Sequence, residues 1–458
     1  TGENQMKIYN TLTAKKEEFL PPGSEVKMYN CGITPYDESH LGHAMNSIIF
    51  DTIRRYLMYR GYKVKYVQNI TDVEDKIIDR ANKQGIKPRE LAEKFANRYF
   101  DNMAQLNVLK PDIIPYATEE IPKMLEVIKG LVDKGHAYEV KGSVYFRVRS
   151  MPDYGKLSKR SLESMQAGAR IDVDEEKEHP MDFALWKASK PGEPAWDSPW
   201  GKGRPGWHIE CSAMSIKYLG EQIDIHSGGQ DLIFPHHENE IAQSECFTGK
   251  KPFAKFWMHN GLFQQGAEKM SKSLGNVQTI VQVLEKHTAD GFRLFILGSY
   301  YRSPLTYSEE AVDAAEKGAE RLQQALTSQT KNGGEKVDAT SYKNRYIEAM
   351  DDDFGTPQAI AALFDLAREI NRGNEQGKDT TEAKEVLREL AGIMGLTLKE
   401  SRQAFSDAEP FINLLITTRK ELRDARQFKL ADELRNKLTE LGVTLEDTPQ
   451  GTTWKRKK

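Results

Sequence analysis

The chain of 458 residues has few cysteines, no long apolar run and no large excess of charge of either sign. Its three cysteines, Cys31, Cys211 and Cys246, cannot all pair. That argues against a disulfide framework and for reduced thiols with metal, catalytic or core roles. No stretch of about 18 uncharged apolar residues occurs and no charged-then-apolar segment opens the sequence. Neither a membrane span nor secretion is therefore predicted, and the cytoplasm is the expected compartment. A net charge of −3 excludes a globally basic nucleic-acid coat. The chain also lacks internal repeats, low-complexity tracts, and any CxxC or HExxH pattern that would identify a metal site by spacing alone.

What is present reads as a several-domain globular enzyme. Charged residues make up 29% and hydrophobic residues 38%, ordinary globular usage, and the length predicts roughly three domains at about 150 residues each. Residues 1–5 read as an expression scar before a natural start at Met6. From 6 to about 118, strand-like runs such as Val26 to Asn30 and Val64 to Val67 alternate with helical ones such as Ala92 to Leu106, the pattern of a parallel α/β sheet. From 119 to 204 the texture is mixed and then irregular, with Pro, Gly and Trp crowded between His179 and Trp207. Sheet texture resumes at Ile223 to His226 and Phe256 to His259, predicting a first domain in two pieces, 6–118 and 205–250, with 119–204 as an insertion. After about 308, helical spacing dominates (Val312, Ala315, Ala319, Leu322, Leu326). The stretches Lys331 to Glu335 and Thr397 to Glu409 read as links.

Two motifs concentrate the chemistry. His40-Leu41-Gly42-His43 follows a strand-like run and opens a helix-like run reaching about Tyr62, so backbone NH groups are predicted to form an anion site there. Lys269-Met270-Ser271-Lys272-Ser273 adds two ammoniums. Together they place two imidazoles and two ammoniums where a polyphosphate can lie. Seven of the ten histidines (His40, His43, His208, His226, His236, His237, His259) fall in or beside motif-bearing stretches, whereas His136, His179 and His287 have no such context. Cys31, Cys211, His236 and Glu240 form a chemically sensible zinc set, the last two sharing a helical face at i,i+4. Their spacing is not diagnostic. By themselves the cysteines read equally as buried small hydrophobes, and His208 and His237 are rival ligands. Two basic stretches, Arg54 to Lys65 and Arg419 to Lys437, read individually as solvated faces.

Taken in order, Cys31-Gly32-Ile33-Thr34-Pro35-Tyr36, the HxGH and Lys-Met-Ser-Lys-Ser motifs, Asn69-Ile70-Thr71-Asp72, Gly203 to Ser212 and Phe234 to Glu240 resemble the cysteinyl-tRNA synthetases, a class I aminoacyl-tRNA synthetase family. The likeness runs from Met6 to the tail, including Leu445 to Trp454. It implies a Rossmann-like parallel-sheet catalytic domain split by a connective insertion. It also implies a stem-contact region at 251–308 bearing the second motif, an α-helical anticodon-binding bundle at 309–398 and a small anticodon-recognition module at 399–458. The implied activity is ATP-dependent attachment of L-cysteine to tRNA(Cys) through a cysteinyl-adenylate, with Mg²⁺ accompanying ATP. One Zn²⁺ held by Cys31, Cys211, His236 and Glu240 would take the substrate sulfur and select cysteine over serine. The implied ATP contacts are His40, Gly42, His43, Lys269, Ser271 and Lys272, with the two histidines and two lysines catalytic. The implied amino-acid contacts are Gly32, Thr34, Thr71, Trp207 and Asp231, and the implied anticodon contacts Arg423, Phe428, Asp432 and Asp447. The resemblance further implies a monomer. Met45 departs from the pattern, since many relatives carry Arg there. The alternative is a cysteine ligase acting on a small amine, of the mycothiol-pathway type, which the residues after 400 disfavour. A noncatalytic nucleic-acid-binding relative would be expected to lack the signature motifs.

Overall fold

A computed structural model describes residues 5–168, 176–265, 268–269, 278–399, 408–449 and 451–456. The chain divides into two compact units, Thr1–Leu398 and Lys399–Lys458.

The first unit is organised on a four-stranded parallel sheet in the spatial order Ala254–Asn260, Ile223–Gly229, Glu25–Ile33, Lys63–Ile70. Strand Glu25–Ile33 is buried on both faces, as a parallel strand covered by helices must be. Met28 packs into a core with Ile48, Ile53 and Phe256, while its neighbour Tyr29 enters a second core with Val67, Met214 and Trp257. Consecutive side chains thus serve opposite faces. Along the chain, Glu25–Ile33 is followed outward by Lys63–Ile70, and the later strands add to its other side. The order therefore reverses between Glu25–Ile33 and Ile223–Gly229. A crevice is expected at the carboxyl ends of strands flanking such a reversal, and Cys31, Gly228 and Gly229 stand there.

The stretch read as irregular between His179 and Trp207 contains two strands. Phe183–Ala188 and Gly203–Pro205 complete an antiparallel sheet with Ala137–Val140 and Ser143–Phe146. The sequence conceals the second because Gly and Pro are poor strand formers, and the first because it is short and set among Pro- and Gly-rich segments. Their register is held by tertiary packing of the fully buried Trp186, paired with Val144 on one side and Pro205 on the other. A smaller sheet joins Phe263–Gln265 to Glu268–Lys269 and Leu305–Tyr307.

Helices Glu309–Thr327, Thr340–Asp351, Thr356–Glu375 and Thr381–Ile393 follow. The first starts at Ser308, whose hydroxyl accepts from Ala311 NH at 3.1 Å, a typical N-cap. Val312, Leu322, Leu363, Leu366, Leu387 and Leu390 are buried in the same large core as the sheet. A buried guanidinium ties these parts together: Arg293, on helix Ala289–Leu297, donates to Asp51 Oδ2 at 2.7 Å, Met394 O at 2.8 Å and Leu106 O at 3.1 Å.

The second unit packs helices Glu409–Asp424 and Phe428–Glu440 with the hairpin Val443–Thr448 and Gly451–Arg456. Ile412, Leu438, Val443 and Leu445 form its small core. Among the described residues no helix is long and apolar enough to cross a membrane.

Replacing Arg293 with Leu leaves two carbonyls without their donor and Asp51 with Arg55 as its remaining cation. We expect a loss of about 3 kcal/mol, read as a lower urea midpoint at unchanged m-value. A loss under about 1 kcal/mol would show that the tie is not structural.

Candidate active site

Cys31 stands near the end of strand Glu25–Ile33, and the residue after it must be glycine. A Cβ at Gly32 would lie 1.5 Å from Asn69 O, so only glycine admits this approach of the two strands. Asn69 Oδ1 in turn accepts Gly32 NH at 2.9 Å, and Asn69 Nδ2 donates to Thr71 Oγ1 at 3.3 Å. Thr71 is buried and does not line the cavity described below; it stands behind Gly32 and Asn69.

Cys211 comes from helix Trp207–Leu219, His236 from the turn Ile233–His237, and Glu240 from helix Glu238–Thr248. All three, with Cys31, are buried, and their donor atoms lie within 4.8 Å of one another. A tetrahedral ion with bonds of about 2.0–2.3 Å needs ligand atoms about 3.3–3.8 Å apart. Here Cys31 Sγ is 3.8 Å from Cys211 Sγ and 3.5 Å from Glu240 Oε1. His236 Nε2 to Glu240 Oε1 is shorter, 2.9 Å, because the two hydrogen-bond directly. The donor set and its spacing fit a divalent zinc-like ion.

The cluster is electrostatically tense. Burial, then Cys211 and Glu240, pushes the Cys31 thiol well up. Burial would also raise Cys211, but Cys31 and His236 together draw it down. Burial disfavours charge on His236, yet Glu240 and Cys211 hold it protonated, raising it to about 10. Glu240 is kept well below the usual carboxylate range against its burial by His226 and His236. Gathering two thiols and a carboxylate out of water demands a compensating cation.

A surrounding shell orients these groups. His226 donates from Nε2 to Glu240 Oε2 at 2.5 Å. His208 Nδ1 meets His236 Nδ1 at 2.9 Å, which places His208 behind His236. His237 Nε2 is 3.2 Å from Cys31 Sγ, and its Nδ1 meets His259 Nε2 at 2.8 Å. Cys31, His226, His237 and Glu240 form a second close-spaced set sharing two members with the first. The sequence assigned His226 and His259 no individual role. The available signal, for His259, was a polar residue closing the otherwise apolar run Phe256 to His259.

Beside this cluster lies a cavity of about 340 Å³ lined by Cys31, Gly32, Thr34, Trp207 and Asp231 on the amino-acid candidates' side, and by His40, Gly42 and His43 of the first motif. Trp207 stacks on His236 with ring centroids 4.2 Å apart and remains 40% exposed. The His40 and His43 rings stack at 3.7 Å. A Cβ at Gly42 would come within 2.9 Å of the His40 ring. His40 NH donates to His43 Nδ1 at 3.2 Å, so in the neutral ring the proton sits on Nε2. Helix Leu41–Tyr59 begins here, but one of its first NH groups is spent: Leu41 N donates to Gln278 O at 3.1 Å, and Ile280 N to Ser39 O at 3.0 Å. These bonds bring Gln278 and Ile280, downstream of the second motif in the chain, against the first motif. Lys269 is placed by its backbone in the strand Glu268–Lys269; Met270, Ser271, Lys272 and Ser273 lie outside the described residues. Met45 is buried, and it too lines the cavity.

In the second unit, Asp447 accepts two bonds of 2.9 Å from the Arg419 fork and one of 2.7 Å from Thr452, with Arg423 at 3.6 Å. Its carboxylate is committed internally, whereas Arg423, Phe428 and Asp432 are exposed.

The family model described as tRNA synthetases class I (C) catalytic domain matches residues 20–317, and the DALR domain model matches residues 345–399. A cysteine–tRNA ligase of Dehalococcoides mccartyi is 59% identical over 99% of this chain and 100% of its own. The chain belongs to the cysteine–tRNA ligase family. A further member, from Carboxydothermus hydrogenoformans, is 50% identical over 98% of this chain and 100% of its own. The methionyl-tRNA synthetase of Mycobacterium tuberculosis, solved in complex with methionyl-adenylate, matches with a TM-score of 0.59 at 17% identity, covering 81% of this chain and 88% of that one. This last likeness is one of fold. The expected α/β parallel-sheet architecture with a helical region behind it is thereby borne out, as is the family read from the motifs.

Because His226 holds the far oxygen of Glu240, His226→Ala is expected to weaken divalent-ion binding at the cluster by about 10- to 100-fold. Zinc competition against a chromogenic chelator measures it, and an unchanged affinity would remove His226 from the supporting shell.

Proposed function

We propose that this chain attaches L-cysteine to tRNA(Cys) in two steps within the cavity between the Cys/His/Glu cluster and the His40–His43 turn. One observation carries the reading: Cys31 of the donor set, Trp207 stacked on His236 and the first signature motif line a single space of about 340 Å³. In the first step the cysteine carboxylate attacks the α-phosphorus of ATP and the bond to pyrophosphate breaks. In the second, the 3′-terminal ribose hydroxyl of the tRNA attacks the acyl carbon and AMP leaves.

Cys31, Cys211, His236 and Glu240 would hold the zinc ion, which when bound supplies a borderline-soft partner for a thiolate and a poor one for a hydroxyl. Discrimination between cysteine and serine then rests on a difference in chemistry, which an apolar pocket offers only weakly for near-isosteres. Trp207 would wall the amino-acid site. Gly32, Thr34 and Asp231 would contact the substrate's polar ends, with Thr71 acting through Asn69 and Gly32. His43, carrying its proton on Nε2, and His40 would donate to phosphate oxygens as charge moves toward pyrophosphate, and the amide of Gly42 lies at the positive end of its helix. Lys269, Ser271 and Lys272 would complete the ATP site. Mg²⁺ enters with the nucleotide. Little covalent help is needed, because positioning and preorganised charge do most of the work.

Residues 399–458 would read the anticodon of tRNA(Cys), with Arg423, Phe428 and Asp432 offering the stacking and hydrogen-bonding groups that unpaired bases require. The Asp447 carboxylate, bound by Arg419, would fix the local frame. The chain would act as a monomer in the cytoplasm. An acceptor as small as the amine of the mycothiol-type alternative gives the second unit no task, so that reading is not favoured.

The deciding experiment is cysteine-dependent ATP–pyrophosphate exchange with zinc quantified in the same sample. We expect about one zinc per chain and a strong preference for cysteine over serine. Active material without zinc, or equal use of serine, would overturn the reading. A chain ending at residue 398 is expected to retain exchange while its charging of tRNA(Cys) falls by at least roughly tenfold, the weight of about 1.4 kcal/mol of lost contact. Undiminished charging by that fragment would show that the tail is not a reader.

A further inference from the structure

We infer that Lys76 binds a phosphate group at the mouth of the catalytic cavity, an inference that rests on the nucleotide-dependent reading above and adds a residue outside both signature motifs. Lys76 is the lone lysine or arginine among the described residues that line the cavity, which it shares with Thr34, Tyr36, His40 and His43. The two imidazoles are at best partly protonated near neutral pH, so a polyanion entering here meets at Lys76 the full positive charge of the described wall.

The placement of this lysine is built in. Helix Asp75–Gln84 starts at Glu74, whose carboxylate accepts Lys76 NH at 2.7 Å. Asp75 is paired with Arg204 and lies 3.6 Å from Lys187. Arg204 belongs to strand Gly203–Pro205, which runs into Trp207. The helix end that carries Lys76 is therefore fastened to the same segment that presents the Trp207 wall. The ammonium rests over the Tyr36 ring, 5.6 Å from its centroid, a cation–π contact that fixes the head group while leaving its donors available.

Four nearby acids are engaged elsewhere. Asp37 pairs with Arg80 at 3.1 Å and Glu38 with Arg98 at 2.5 Å, Asp75 is taken by Arg204, and Glu74 caps the helix. Neither Asp79, one turn along the helix, nor Asp231, which also lines the cavity, forms an ion pair with Lys76 among the described residues. Among the described residues no carboxylate neutralises Lys76. A surface that pairs Arg80, Arg98 and Arg204 with carboxylates and leaves Lys76 over an aromatic ring at a cavity mouth is arranged to receive an anion. Two sources share that chemistry: the phosphates of ATP, and the phosphodiester next to the 3′ end of an RNA.

The test measures equilibrium binding of ATP and, separately, of uncharged tRNA(Cys) to the full chain and to its Lys76→Ala and Lys76→Arg variants. We expect Lys76→Ala to weaken one of the two ligands about tenfold, the weight of one hydrogen bond to a charged group, with Lys76→Arg restoring most of the loss. If the tRNA is the ligand, the slope of log affinity against log salt also falls by about 0.7–0.9, one phosphate contact. Both affinities staying within twofold of the parent would overturn the proposal. Cysteine-dependent exchange by the unaltered protein, run alongside, tests the catalytic reading independently, because binding is measured without turnover.

Discussion

The site depends on how two thiols, an imidazole and a carboxylate are held together out of contact with water. Glu240 is the pivot, since one of its oxygens reaches the Cys31 and His236 donor atoms and the other is held by His226. In a medium of low polarity, an unbalanced anion costs several kcal/mol. The surrounding histidines and the spacing for a divalent ion are two answers to the same demand. Helices Trp207–Leu219 and Glu238–Thr248 consequently carry polar residues on inward faces that would otherwise be apolar.

The parallel sheet makes this assembly possible. Residues from positions 31, 69, 207–211, 228–240 and 260 meet because the strand order reverses beside Glu25–Ile33, so strands distant in the chain end side by side. Gly32 shows how little tolerance remains, its missing Cβ being the space that the Asn69 carbonyl occupies. On the far side of the cavity the first motif is stitched to Gln278 and Ile280 by backbone bonds. The two ends of the cavity thus share one frame, as catalysis by positioning requires. Arg293 extends that frame to the helical region through carbonyls at Leu106 and Met394.

Local chemistry made much of this legible beforehand. Strand Glu25–Ile33 and the helix after it carry their own periodicity, and the motif residues are contiguous, so sequence alone places His40, Gly42 and His43 at a strand-to-helix turn. The four cluster residues were likewise nameable from their donor chemistry. Two features were not legible. The strand Gly203–Pro205 runs against intrinsic preference and is held, with its neighbour Phe183–Ala188, by the burial of Trp186 between Val144 and Pro205. Lys76 belongs to no motif, and its surroundings are set by the tertiary structure, since the partners that engage Asp37, Glu38 and Asp75 come from residues 80, 98 and 204.

Sequence by itself determined the fold class, the family and the inventory of chemistry, because periodicity and motif content are properties of short stretches. Tertiary structure alone set His208 behind His236, put His237 against Cys31 and gave His226 the second oxygen of Glu240. Three histidines of identical chemistry differ only in where the backbone points them. Those directions depend on contacts between residues as much as 206 positions apart, a distance at which no local pattern carries information.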